Sequence, residues 1–376
     1  MILNKLSVIN YKNIKQADLE LSPKINCFFG KNGMGKTNLL DAIYYLSFCK
    51  SYTNMPDTQN VLHEYDFFVI QGDYLCNDSK ETIYCGFKKR QKKHFKRNQK
   101  EYDKLSDHIG YIPLIMISPA DSVLLQGNSE ERRKFIDLSI SQYDKEYLHA
   151  LVNYQRALFQ RNALLKSDML PSNDLFELWE ENMAHDATVI YRKRNLFLER
   201  FIPIFKQYYH QISGHAEEVS LNYLSHLQEE TDLLSLWKQH RERDHAIGYT
   251  TKGVHKDDLE MLLDGFPIRK IGSQGQNKTF LIALKLAQFE FLKQNRNSNP
   301  LLLLDDIFDK LDADRVEKII KLVASEQFGQ IFITDTNRKY LDEILTIVPQ
   351  SYRLFEVNHG EITKLERTTY KTADKQ

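Results

Sequence analysis

Apolar residues recur along the first part of the chain at the spacing of half-buried strands: Leu3, Leu6 and Val8, then Ala17, Leu19 and Leu21. Phe67 to Ile70 and Thr82 to Cys85 repeat the pattern further on, and Ile25 to Phe29 reads as a short buried strand. After residue 38 the period changes, with Leu39, Leu40, Ile43 and Leu46 one helical turn apart. From about Ser118 the helical rhythm dominates. Leu148, Leu151, Tyr154 and Leu158 mark one helix, and Leu175, Leu178, Met183, Ala187, Ile190, Phe197 and Phe201 a longer one. Pro203 is expected to kink or end the latter. Past Tyr249 strands and helices alternate: a helix over 280–292, the run Leu301 to Leu304 as a fully buried strand, a helix over 315–324, and Ile331 to Thr334 as another buried strand. Tyr352 to Val357 is a late strand. The pattern predicts an α/β protein in which the C-terminal strands continue the N-terminal sheet after a stretch of long helices.

Composition narrows the class without naming a partner. Hydrophobic residues make up 42% and charged residues 27%, as expected of a soluble globular chain. No apolar run reaches the roughly 18 residues needed to span a bilayer, and Met1 to Lys5 lacks the apolar core of a secretory signal. Cys27, Cys49, Cys76 and Cys85 lack metal-ligand spacing and read as reduced thiols of a cytoplasmic protein. The 51 basic and 51 acidic residues cancel, so any polyanion must meet charge that is concentrated locally. Lys88 to Lys100 supplies such a concentration, with eight Lys or Arg, no acid, and the place of a hairpin tip. Such a run is either a solvated face or a phosphate-contact surface.

The chemistry is carried by three stretches. Gly30-Lys31-Asn32-Gly33-Met34-Gly35-Lys36-Thr37-Asn38 contains Gly-x-x-x-x-Gly-Lys-Thr between a strand and a helix, the order a P-loop demands. Its glycines let successive N–H groups point inward at a helix N-terminus and cradle phosphate. Lys36 is placed to reach the β- and γ-phosphates, and the Thr37 hydroxyl to hold Mg²⁺. The buried strand Leu301 to Leu304 ends in Asp305-Asp306. Asp305 fits the metal and Asp306 the attacking water. Some 30 residues upstream, Ser273-Gln274-Gly275-Gln276 opens a helix and makes a second anion site. One chain does not need two triphosphate cradles. The reading is that this loop caps the γ-phosphate held by the P-loop of a second copy, so that ATP joins a homodimer.

A P-loop near residue 36 with its acidic partner near residue 305, split by a helical insertion, resembles the SMC-like ABC ATPases. Within that group the chain is similar to the bacterial recombination mediators. Three stretches carry the likeness: Gly30 to Tyr52, Ser118-Pro119 through Asp137, and Gly253-Val254-His255-Lys256-Asp257-Asp258-Leu259. The resemblance implies an ATPase head in two parts, 1–117 and 247–376, around a helical arm, 118–246. It implies slow, DNA-stimulated ATP hydrolysis and binding of double-stranded DNA at single-strand/double-strand junctions. It also implies action with RecO and RecR in loading RecA. Lys12 then falls beside the nucleotide, and Lys92, Lys93, Lys96 and Arg97 become DNA contacts. The chain departs from the family pattern at Asn128-Ser129, Asn277-Lys278 and Asp309-Lys310, and its last core strand is followed by no histidine, so the γ-phosphate sensor of many ABC heads is absent or replaced by Thr334. Asp306 stands where most ABC ATPases carry Glu. A transporter-type ABC subunit and a P-loop kinase share parts of the signature; the long arm speaks against the first and the Ser273 loop against the second.

Overall fold

In the computed structural model, described over residues 1–77, 79–167, 172–214, 217–227, 231–296, 298–309, 311–325, 327–336, 341–342 and 352–365, the chain forms two compact units. The first comprises 1–119, 298–309 and 316–376, and the second 120–297 and 310–315.

The first unit opens with strands β1 (Ile2–Tyr11) and β2 (Ile14–Glu20), paired antiparallel, then β3 (Ile25–Phe29), the P-loop and helix α1 (Lys36–Phe48). β4 (Phe67–Cys76), β5 (Ser79–Lys88), β6 (His94–Arg97), the short β7 (Lys100–Glu101) and β8 (Leu114–Ile117) follow. The chain then enters the second unit with α2 (Ser129–Ser141), α3 (Lys145–Leu164), α4 (Asn173–Ser213) and β9 (Val219–Leu224). α5 (Leu233–Ile247), β10 (Asp258–Leu263), β11 (Phe266–Pro267) and α6 (Gln274–Asn295) complete it. The return brings β12 (Leu301–Asp305), α7 (Ala313–Ala324), β13 (Ile331–Asp335), β14 (Tyr352–Asn358) and β15 (Glu361–Leu365).

Two six-stranded sheets build the first unit. One runs β2-β1-β4-β5-β6-β7 and is antiparallel; the other runs β15-β14-β3-β13-β12-β8, parallel except for β15. The four leucines of β12 are no more than 1% exposed, as a strand flanked on both sides requires. β13 lies between β3 and β12, with Thr334 opposite both Phe28 and Asp305. That register brings the P-loop and the paired acids to one end of the sheet, where ligands of open α/β sheets bind.

The second unit packs α4 on α3 and α6, beside the small sheet β11-β10-β9. Pro203 does not end its helix: α4 runs 41 residues and continues ten beyond the proline. Phe205, Tyr208, Tyr209 and Ile212 hold the face already used by Phe197 and Phe201, all buried. Phe205 lies 4.8 Å from Phe280 between ring centroids, and Phe197 4.9 Å from Phe291. Burying each such ring contributes roughly 1.5–3 kcal/mol, so together they outweigh the roughly 3 kcal/mol cost of an internal proline. Asn128 caps α2, its side chain accepting from Glu130 N–H. The turn at Asn128-Ser129, where the chain departs from the family pattern, is thus closed by a polar N-cap with Ser129 as the first helical residue.

Candidate functional site

The loop between β3 and α1 is wound as its glycines require. Gly35 sits at φ 111°, where a Cβ would stand 2.6 Å from Asn13 Oδ1. A Cβ on Gly30 would reach 2.3 Å from the Val357 carbonyl oxygen. Neither position admits a side chain. The loop is held from two directions: Asn13 Nδ2 donates to the Met34 carbonyl at 3.1 Å, and Gly360 N–H to the same oxygen at 2.9 Å. Asn38 Nδ2 donates to Asn13 Oδ1 at 2.7 Å. The sequence motif hides these braces, because Asn13 and Gly360 come from other strands' ends.

Lys36 is buried at 7% exposure, and its ammonium donates to the Gly30 carbonyl at 2.6 Å and the Lys31 carbonyl at 2.9 Å. Burial pushes its pKa down, opposed by the charges of Asp306, Asp305 and Asp335. Among the described residues the ammonium bonds only these two neutral carbonyls, which an anionic phosphate outcompetes. Asn32, Gly33, Lys36, Thr37, Asp305 and Asp306 line a cavity of about 220 Å³.

Across that cavity the Thr37 hydroxyl stands 2.9 Å from both Asp305 oxygens. Asp305 is 4% exposed and also accepts from Thr334 Oγ1 at 2.7 Å and Ser118 Oγ at 3.4 Å. Burial raises its pKa above the ordinary carboxylate value; the Thr334 and Thr37 hydroxyls oppose this, and Asp306 adds to it. A buried carboxylate ringed by hydroxyl donors gains from a hard cation. The donor set fits Mg²⁺, which takes one or two protein oxygens and fills the rest of its shell with phosphate and water. Asp306 adopts φ 49°, and its N–H reaches the Thr334 carbonyl at 3.2 Å. Thr334 therefore serves as a post under the paired acids, bonded to both of them.

The other sequence-derived residues fall in distinct places. Lys12, at φ 53°, ion-pairs with Asp41 Oδ2 at 2.6 Å. Asp41 is buried and also accepts from Tyr11 OH, Ser51 Oγ and Tyr52 N–H, all within 2.8 Å. Ser273, Gln274, Gly275 and Gln276 form the first turn of α6 in the second unit. Ser273 Oγ accepts from Gln276 N–H at 3.2 Å, and Gln276 Oε1 accepts from Ser273 N–H at 2.7 Å, a complete capping box. Gln274 and Gly275 N–H groups head the helix beside it.

The basic stretch divides in two. Lys92 is exposed in the β5–β6 turn, and Lys96 lies half-buried against the Tyr84 ring, 5.9 Å from its centroid. Lys93 points inward: its ammonium bonds Cys49 O at 2.7 Å, Tyr45 OH at 2.8 Å and Asp57 Oδ2 at 2.9 Å. Arg97 forks onto Glu81 with two 2.8 Å bonds and stacks 3.9 Å from the Tyr111 ring centroid. Those bonds hold the Glu81 carboxyl well below the usual range.

Comparison with known proteins places the chain among its relatives. A family model described as the RecF/RecN/SMC N terminal domain matches residues 2–363. The chain is 59% identical over 366 residues to the DNA replication and repair protein RecF of Bacteroides thetaiotaomicron, covering 97% of this chain and 99% of that protein. The protein of the same name from Flavobacterium johnsoniae is 52% identical over 95% of this chain and 100% of its own length. A solved structure of the recombination mediator protein RecF-ATP in the RecFOR pathway superposes with a TM-score of 0.87 at 28% identity, covering 97% of this chain and 98% of that one. The Smc head bound to the C-winged helix domain of ScpA shares the fold, with a TM-score of 0.58 at 14% identity over 98% of each chain.

Proposed function

The chain belongs to the RecF family of SMC-like ABC ATPases, and from that premise we propose that it is an ATP-dependent DNA clamp of replication and recombinational repair. It binds ATP with Mg²⁺ in the cavity between the P-loop and Asp305-Asp306. Two copies close on the nucleotides, each sealing its partner's γ-phosphate with the turn Ser273 to Gln276. The closed dimer holds duplex DNA near single-strand gaps and acts in the cytoplasm with RecO and RecR in loading RecA. No described helix is long and apolar enough to cross a membrane, and no membrane partner enters this reading.

The observation that carries it is the Thr37 hydroxyl set on the Asp305 carboxylate at 2.9 Å, with Lys36 in the same cavity. Mg²⁺ held by that pair would neutralise developing charge on the phosphate oxygens. Lys36, released from the Gly30 and Lys31 carbonyls, would bond the β- and γ-phosphates. The P-loop N–H groups would fix the triphosphate in line, and Asp306 would orient the attacking water and receive its proton. Aspartate is one methylene shorter than the glutamate usual here, so Asp306 reaches that water less well. A loss of about 1.4 kcal/mol of transition-state stabilisation slows turnover tenfold. A long-lived ATP-bound dimer suits a positional mark on DNA.

The test is ATP hydrolysis with and without gapped duplex DNA. Stimulation by DNA, abolished by Lys36→Ala, is the expected result. Hydrolysis indifferent to DNA would point to a transporter-type subunit or a small-molecule kinase instead.

A further inference from the structure

The serine turn is anchored by a chain of bonds that its sequence does not show. Gln276 uses both ends of its side-chain amide: Oε1 accepts from Ser273 N–H at 2.7 Å, and Nε2 donates to Glu217 Oε1 at 2.8 Å. The other oxygen of Glu217 accepts from Tyr209 OH, on the last turns of α4. Glu217 is half-buried and lies two residues before β9, while Tyr209 is fully buried. With the Ser273 bond alone, that single bond would have to hold the amide against a flip that presents NH₂ to the Ser273 N–H and breaks the cap. Bonded at both ends it has one orientation. Ser273 Oγ accepts from Gln276 N–H, so its hydroxyl proton is not consumed by the cap.

We infer that Glu217 is a positioning residue for the anion-capping serine: it fixes the Gln276 amide, hence the Ser273 hydroxyl, and ties that turn to the end of the arm helix through Tyr209. This deepens the proposed function and rests on it. Ordering of α4 and ordering of the cap become one event, because Tyr209, Glu217 and Gln276 form a single hydrogen-bonded string.

The experiment compares full-length wild type with Glu217→Ala, Glu217→Gln and Tyr209→Phe. Three readouts apply: ATP binding by dilute protomers, ATP-dependent dimerisation by sedimentation, and the KM and kcat of DNA-stimulated hydrolysis. Glu217→Ala frees the amide; its dimer dissociation constant should rise about tenfold, or about 1.4 kcal/mol. Its kcat should fall while protomer ATP affinity and KM stay at wild-type values. Glu217→Gln keeps an acceptor for Gln276 and a partner for Tyr209, and should restore dimerisation to within about threefold of wild type, the loss expected from exchanging a charged for a neutral acceptor. Tyr209→Phe removes only the far bond and should fall between the two.

Dimerisation of Glu217→Ala equal to wild type would overturn the assignment while leaving the clamp intact. So would a Gln variant as defective as the Ala one, since charge rather than the bond would then matter. Should Glu217→Ala fail to fold, the Gln and Phe variants decide by the same order. Wild type that stays monomeric with ATP would defeat the clamp reading itself and this inference with it.

Discussion

Thr334→Val tests whether the buried hydroxyl between the P-loop strand and the acidic strand maintains the ionised Asp305. Valine keeps the shape of threonine, so the fully buried site is not emptied. What is lost is the 2.7 Å bond to Asp305 Oδ1 and the acceptor facing Asp306 N–H at 3.3 Å. A hydrogen bond to a charged group contributes about 1.5–3 kcal/mol, and that is the destabilisation expected where Asp305 is ionised. The sign of the pH dependence follows from the direction of the native shift. Burial raises the Asp305 pKa in the folded chain, so the folded state loses stability as pH rises from the ordinary carboxylate range through the raised value. Removing a donor to the charged form raises that value further and deepens the loss. The variant should therefore lie about 1.5–3 kcal/mol below wild type in urea unfolding at about pH 8, with the gap closing as pH falls through the raised value. The Mg²⁺ concentration for half-maximal ATP hydrolysis should rise about four- to twelvefold if half that energy, about 0.8–1.5 kcal/mol, bears on metal binding. A deficit that stays constant with pH, or an unchanged Mg²⁺ requirement, would show that Thr334 only packs.

The basic hairpin separates into predictions of opposite kind. If about five of its exposed cations neutralise phosphates, log affinity for duplex DNA should fall with log salt at a slope near −4 to −5. Lys88→Glu with Lys92→Glu should flatten the slope by about two with less than about 0.5 kcal/mol lost in stability; an unchanged slope would assign the turn to solvent. Lys93→Ala should cost about 1–3 kcal/mol by thermal unfolding, since Tyr45 and Asp57 lose their shared donor, and should alter the salt slope little. A stable Lys93→Ala with a flattened slope would reverse that division.

Local spacing announced much of this architecture. Gly30 to Thr37 could be read because strand, glycines and helix are contiguous, and Asp305-Asp306 because four leucines can only be a buried strand. The helix start at Ser273 was legible because serine and glycine stand directly ahead of a helical run, whereas the capping box that closes it was not read. The rest depends on neighbours distant in sequence. Thr334 matters because β13 lies between β3 and β12, an order that no single strand encodes. The charge run did not reveal that Arg97 stands opposite Ile83, which puts Glu81 two residues along the same face. Nor did it show that Lys93 turns inward to α1. Pro203 has the chemistry of a helix stop, and the aromatic packing on α6, distant in sequence, offsets its cost in α4. Glu217 belongs to no motif at all.

A nucleotide shared by two copies can be tested directly by mixing protomers. Lys36→Ala alone should lose ATP binding and remain monomeric. Ser273→Arg alone should bind ATP and remain monomeric. Sedimentation of an equimolar mixture with ATP should yield dimers, because an intact P-loop from the serine variant then faces an intact serine from the lysine variant. A mixture as monomeric as its parts, or a Ser273→Arg protein that dimerises alone, would contradict sealing across the dimer.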